Sequence, residues 1–194
     1  MRWKEHFQET LNRPSPQDPQ QLEASPPLNI DTGEITRAEI REALKSLKNG
    51  KAAGVDNIPA EALKEGGDVI VESLHQLLNL VRTEEEIPND WKKGLLVKLP
   101  KSGDLSKCDK WRGITLLSIP SKVLTRVLLD RMKDAIDQEL RDEQAGFRKE
   151  RSCTDQIATL RVIVEQSIEW QTSLYVCFVD FEKVILKTVY KLNL

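Results

Sequence analysis

Apolar residues recur along the first half of the chain with the period of helices. Thr36 and Glu39 have the spacing of a capping box, and the residues after them place apolar side chains on one helical face: Ile40, Ala43, Leu44 and Leu47. Gly50 is predicted to end this helix. A short helix is predicted to begin near Pro59. An amphipathic helix is predicted to follow, with apolar positions at Val69, Ile70, Leu74, Leu77, Leu78 and Val81.

The second half of the chain is predicted to contain short strands and two further helices. The apolar run at 95–99 and the segment KWRGITLLS predict two strands, and KSGD, which follows the first, predicts a turn. A long helix is predicted to begin at Ser118 or Ser121, with an apolar stripe formed by Val123, Leu124, Val127, Leu128 and Met132. Another helix is predicted after a cap at Ser152 or Thr154.

The segment SLYVCFVDF, residues 173–181, is apolar almost without alternation, which predicts a central strand covered on both faces. The fold class is therefore α+β, rich in helices with a few short strands. A carboxylate near the end of a buried strand is costly unless a metal ion or a basic side chain meets it. Asp180 is thus either a ligand of a divalent metal such as Mg²⁺ or a residue that caps a turn.

Composition narrows the protein class. Of the 194 residues, 39% are hydrophobic and 31% charged, as in a globular protein. No apolar run approaches the ~20 residues of a membrane span, and the N-terminus lacks the apolar core of a signal peptide. An intracellular protein, in nucleus or cytoplasm and without a membrane partner, is predicted. The three cysteines are far apart in the sequence, which predicts free thiols and neither a zinc site nor a disulfide framework.

Charge is distributed unevenly along the chain, although the net charge is only −2. Residues 88–133 contain 11 Lys and Arg against 4 Asp and Glu, and both flanks are acidic. Such a basic segment is either an anion-binding face or a solvated surface, and both interpretations stay open at this point. Five of the nine prolines lie between residues 13 and 29, which predicts a linker.

Several motifs occur in the order and at the distances found in one protein family. These motifs are KAAGVDNIPAEALK, IPNDWKKG, GLLVKLPKSGDLSKCDKWRGITLLS, DEQAGFRKERSCTDQI and VCFVDFEK. Together they resemble reverse transcriptases of non-LTR (LINE-like) retrotransposons. The resemblance covers nearly all of residues 1–183. It implies a partial right-hand polymerase, with fingers and the first palm strand, at 34–183. A flexible arm at 1–33 and a divergent tail at 184–194 are predicted to flank it.

The resemblance also implies functional residues on the predicted hairpin and the loop that follows the long helix. Arg112 occupies the position that contacts the incoming triphosphate, and a guanidinium suits phosphate because it donates two hydrogen bonds. Lys98 and Lys101 flank the same hairpin and are predicted to add phosphate contacts. Gly146 and Arg148 resemble positions along the template path. The implied partners are an RNA template and a DNA primer. A surface arginine or lysine without a ligand is the alternative for each cation.

The implied metal site is incomplete in this sequence. Asp180 resembles the first catalytic aspartate of the family, and the carbonyl of Phe181 is implied to join the Mg²⁺ shell. Ile185 stands where the family has an aromatic residue, and the sequence contains no Asp-Asp pair. We therefore expect a truncated RNA-directed DNA polymerase that is inactive alone. A non-catalytic nucleic-acid-binding module and a helical interaction protein are the alternatives.

The apolar segment at the end of the chain carries a further expectation. In the resembled fold, the sheet neighbours of this strand come largely from sequence that follows it. An exposed apolar strand edge promotes pairing between chains. Self-association through residues 173–190 is therefore predicted.

Overall fold

The computed structural model describes residues 2–11 and 26–179. These residues form six helices and one two-stranded sheet: α1 (Arg2–Leu11), α2 (Arg37–Ser46), α3 (Ala60–Glu65), α4 (Gly67–Glu84), β1 (Leu95–Pro100), β2 (Trp111–Leu116), α5 (Ile119–Glu139) and α6 (Cys153–Glu169). The helix-rich α+β class is confirmed. None of these helices combines the length and the apolar character that a membrane span requires. The described residues divide into two compact units, 2–132 and 133–179.

The capping box predicted at the start of α2 is present. The hydroxyl of Thr36 accepts a hydrogen bond from the Glu39 amide at 3.3 Å, and the Glu39 carboxylate accepts one from the Thr36 amide at 2.8 Å. The predicted end at Gly50 is wrong, because α2 ends at Ser46 and Leu47 is already extended. The Leu47 carbonyl accepts a hydrogen bond from the Lys64 ammonium, a side-chain donor outside the helix.

Among the described residues, one apolar core lies between α2, α3, α4 and α5. Its buried members are Ile35, Ile40, Ala43, Leu44, Ala60, Leu63, Val71, Leu74, Leu78, Ile119, Val123 and Val127. Burial of each larger side chain stabilises the unit by roughly 1.5–3 kcal/mol. Val69, one of the positions assigned to the apolar face of the predicted helix, is 76% exposed, whereas Val71 is buried. Val71 is buried because it lies on one face of α4 with Leu74 and Leu78, at spacings of three and four residues.

The loop before α3 contacts the backbone that leads into α5. A Cβ on Gly54 would lie 2.5 Å from the carbonyl carbon of Leu117 and from the amide nitrogen of Ser118. The hydroxyl of Ser118, which is fully buried, donates to the Asp56 carboxylate at 2.6 Å. Glycine at position 54 therefore allows a close backbone approach between two segments 62 residues apart.

Arg131 joins α5 to the start of α2. Its guanidinium donates two hydrogen bonds to the Glu39 carboxylate, at 2.6 and 2.8 Å. It also donates to the carbonyl oxygens of Asp31, Gly33 and Glu34 at 3.2, 2.8 and 2.8 Å. The hydrogen bonds from Arg131 lower the pKa of Glu39 from 4.5 to about 2, against the opposite effect of partial burial. The carboxylate is therefore ionised throughout the neutral range.

The second unit consists of the end of α5, a loop and α6. Ser152, one of the two predicted caps, begins α6: its hydroxyl accepts from the Thr154 amide at 3.0 Å. Its own amide donates to the Asp155 carboxylate at 3.2 Å. No residue of α6 is buried.

The prediction of a central strand is wrong for its described part. Residues 172–179 have no regular secondary structure, and Tyr175 and Phe178 are 93% and 80% exposed. A strand requires a hydrogen-bonded neighbour, and within the described residues β1 and β2 pair with each other in a two-stranded sheet. The first palm strand is therefore not formed at 173–179. Self-association through 173–190 stays a prediction, and its residues from 180 onward lie outside the described ones.

Candidate nucleic-acid interface

The antiparallel hairpin of β1 and β2 carries the residues predicted to bind nucleotide. Leu95 is paired with Leu116 and Pro100 with Trp111, and the Lys101 amide donates to the Lys110 carbonyl at 2.8 Å beyond the last pair. Side chains on a strand alternate between two faces, and directly paired residues share a face. The register therefore divides the hairpin into two distinct surfaces.

One surface, called here the Arg112 face, consists of Leu95, Val97, Leu99, Arg112, Ile114 and Leu116. Arg112 is exposed, and its guanidinium forms no hydrogen bond or ion pair with any other described residue. Leu99, its directly paired neighbour, is 43% exposed. The Arg112 face is thus an accessible apolar strip with one cation that has no ionic partner among the described residues. This combination suits a ligand with both phosphate and flat apolar groups.

The opposite surface, called here the Lys98 face, consists of Leu96, Lys98, Pro100, Trp111, Gly113 and Thr115. The Lys98 ammonium lies 4.4 Å from the ring centroid of Trp3 in α1 and 4.9 Å from that of Trp111. The two indoles are arranged edge to face, with centroids 5.2 Å apart. The structure therefore places Lys98 and Arg112 on one hairpin but on opposite faces, and the Lys98 ammonium already has aromatic partners.

Lys101 belongs to the loop that closes the hairpin. Its ammonium donates to the carbonyl oxygen of Asp109 at 3.3 Å. Residues 95–116, the hairpin with its loop, together contain five cationic and two acidic side chains. The amide of Ser106 donates to the Asp104 carboxylate and holds the pKa of that group below its ordinary range. Even with both carboxylates ionised, the hairpin keeps a clear excess of positive charge.

Gly146 and Arg148, predicted to contact the template, lie in the second unit. The Arg148 guanidinium donates to the Asp137 carboxylate at 2.7 Å and to the carbonyls of Asp137 and Arg141 at 3.1 and 2.7 Å. Its side chain is only 6% exposed. The hydrogen bond to Asp137 raises the pKa of Arg148 and lowers that of Asp137. A cation here satisfies carbonyls at the C-terminal end of α5, and template binding stays a prediction.

The predicted metal ligands, Asp180 and Phe181, lie outside the described residues. Among the residues that are described, no group of three His, Cys, Asp or Glu side chains is arranged to hold a metal ion. The roles of Asp180 and Phe181 in an incomplete Mg²⁺ site, which this chain is not expected to fill tightly, stay predictions.

The sequence interpretation missed helix α1. The sequence predicts a flexible arm at residues 1–33, whereas Arg2–Leu11 is a helix whose aromatic residues contact the hairpin, and residues 12–25 of the arm lie outside the described ones. A Cβ on Gly113 would lie 2.9 Å from the ring of Phe7. The signal was the spacing of Trp3 and Phe7, four residues apart on one helical face.

The chain is similar to proteins of transposable elements, although no family model matches it. A "Probable RNA-directed DNA polymerase from transposon BS" of Drosophila melanogaster is 28% identical over 182 residues, 92% of this chain and 19% of its own length. A "Transposon TX1 uncharacterized 149 kDa protein" of Xenopus laevis is 26% identical over 149 residues, covering 77% and 11%. A "Retrovirus-related Pol polyprotein from type-1 retrotransposable element R2" of Popillia japonica is 29% identical over 115 residues, covering 59% and 15%.

These matches cover most of this chain but only a small part of each relative. The chain spans about a fifth, or less, of the length of the curated relatives that it matches. The motif KWRGITLLS, one of those by which the sequence resembles this family, contains β2 of the hairpin. The chain is therefore a homologue of the RNA-directed DNA polymerase and Pol proteins of non-LTR retrotransposons, and it corresponds to one region of those longer proteins.

Proposed function

We propose that this chain is the fingers region of a retrotransposon reverse transcriptase and that its Arg112 face binds nucleic acid. The observation that carries the proposal is the exposed guanidinium of Arg112, which has no ionic partner among the described residues, on a hairpin with five cations and two carboxylates. The names of its homologues support the enzyme class. The proposed partners are an RNA template and a DNA primer.

The electrostatics of the hairpin favour a polyanion over a neutral partner. Each phosphate that a Lys or Arg neutralises releases a condensed counterion, so affinity falls as salt rises. Arg112 has no carboxylate partner among the described residues, so binding a phosphate breaks no existing ion pair. The exposed apolar side chains beside it, Leu99 and Ile114, offer contact area for a sugar or a base.

Replacing Arg112 by Ala is expected to weaken binding of single-stranded RNA to the full chain. The plot of log affinity against log salt should lose about 0.7 of its slope, the contribution of one phosphate contact on a single strand. Fluorescence anisotropy of a labelled oligonucleotide across a salt series measures both quantities. The control is Arg161→Ala, which removes an exposed arginine paired with Glu165 on α6 and should change neither.

Two results would contradict this proposal. One is the absence of binding at low salt, which would favour the helical interaction protein. The other is an Arg112→Ala chain that binds as tightly as the parent, with the same salt slope, which would reduce the basic hairpin to a solvated surface.

Polymerase activity is proposed to be absent from the 194-residue chain assayed alone. A two-metal clamp needs more than one carboxylate, and the sequence has Asp180 without an Asp-Asp pair. Primer extension on an RNA template with Mg²⁺ or Mn²⁺ should give no incorporation above background. Incorporation that disappears in Asp180→Asn would show that a working site is assembled in another way.

A further inference from the structure

Helix α1 depends on the hairpin for its structure. It has ten residues, and isolated helices shorter than ~12–15 residues are marginal in water. The Arg2 guanidinium donates to the Ser106 carbonyl at 2.9 Å, in the loop that closes the hairpin. The bare Cα of Gly113 leaves room for the ring of Phe7 on the Lys98 face. Contacts with the closing loop and with the middle of the Lys98 face thus hold α1 in its helical form.

Trp111 is held in place beneath α1. Its indole Nε1 donates to the Leu105 carbonyl at 3.0 Å, which fixes the ring independently of α1. The Trp3 ring meets it at an angle of 74°. The Lys98 ammonium lies over both rings and, among the described residues, forms no ion pair with a carboxylate. Removal of α1 would therefore leave a fixed indole beside an unpaired cation.

An aromatic ring beside a cation is the combination by which proteins bind single-stranded nucleic acid without sequence preference. The ring stacks on a base, and the cation contacts the neighbouring phosphate. We infer that Trp111 and Lys98 form a site for single-stranded nucleic acid that α1 covers, with the Trp3 side chain, edge to face against Trp111, filling the space that a stacked base would need. This inference rests on the proposed function and extends it to the second face of the hairpin. Nucleic acid and α1 then compete for the same surface.

The test compares the full chain with the double variant Trp3→Ala, Phe7→Ala. Anisotropy with a short labelled oligouridylate should show that the double variant binds more tightly, by about fivefold or more, since one base stack becomes available. The salt slope should become steeper by about 0.7, because Lys98 gains a phosphate. Gln8→Ala, an exposed change on α1, should behave as the parent. Adding Trp111→Ala to the double variant should abolish the gain.

The inference is overturned if the double variant binds as the parent does, or more weakly. It is also overturned if Trp111→Ala leaves the gain intact. Thermal unfolding, followed by circular dichroism, verifies that each variant keeps the core fold, and Phe7→Ala alone offers a milder change. If the parent chain binds RNA and the double variant shows no gain, this inference fails while the proposed function stands. If neither chain binds, both fail.

Discussion

Replacing Arg131 by Met is expected to lower the free energy of unfolding by about 2–4 kcal/mol. The guanidinium side chain is 8% exposed and satisfies a carboxylate and three backbone carbonyls at once. Met keeps most of the apolar stem but leaves the Glu39 carboxylate without its cation. Urea unfolding measures the change. The control is Arg126→Met on the same helix, whose pair with Asp130 is exposed and which should cost at most about 0.5 kcal/mol.

The same pair gives stability a defined pH dependence. Because the folded-state pKa of Glu39 is lowered from 4.5 to about 2, its contribution is complete above about pH 4.5 and is lost as the pH falls towards 2. At pH 7 the free energy of unfolding of the parent should exceed that of Glu39→Gln by about 2–3 kcal/mol. The two free energies should converge near pH 2. A difference that is constant between pH 7 and pH 2 would contradict the ion-pair explanation.

Replacing Gly54 by Ala is expected to lower the free energy of unfolding by about 1–3 kcal/mol, through overpacking. The new Cβ would lie 2.5 Å from the backbone of Leu117 and Ser118, which cannot move aside as a flexible side chain can. The hydrogen bond between Ser118 and Asp56 would shift with it. Thermal and urea unfolding measure the loss.

Gly146→Ala is the matched control for that substitution. Its Cβ would have only the Gln144 amide nearby, at 3.9 Å, so Ala there should be neutral or slightly stabilising. If both glycine variants are equally stable, the close approach at Gly54 does not constrain the fold.

Local signals predicted much of the fold correctly. The capping box at Thr36 and Glu39 and the cap at Ser152 involve residues within three positions, so the sequence contains the whole interaction. The hairpin strands also follow from a short apolar run and a turn. Helix α1 was missed because its formation depends on Gly113 and Trp111, about a hundred residues away. The strand at 173–179 was predicted from apolar content alone, which does not supply the pairing partner that a strand needs.

The candidate site shows the same limit. Charge counts identified the basic segment that contains the hairpin, but they do not distinguish its two faces. The strand register places Lys98 and Arg112 on opposite faces, because Lys98 pairs with Gly113 and Arg112 pairs with Leu99. Arg148 lies in a motif that resembles the template-contacting positions of the family. In the structure, its guanidinium donates hydrogen bonds to carbonyls of its own unit. Sequence similarity identifies the motif, whereas register and burial determine which cations remain accessible.

Crosslinking identifies the part of this chain that contacts RNA. Single-stranded RNA containing a photoreactive uridine analogue, crosslinked to the full chain and analysed by mass spectrometry of the peptides, identifies the residues that touch it. We expect crosslinks within residues 95–116 that are weakened in Arg112→Ala and unchanged in Arg161→Ala. Crosslinks confined to the helices at 37–84 or 153–169, with none in the hairpin, would contradict it.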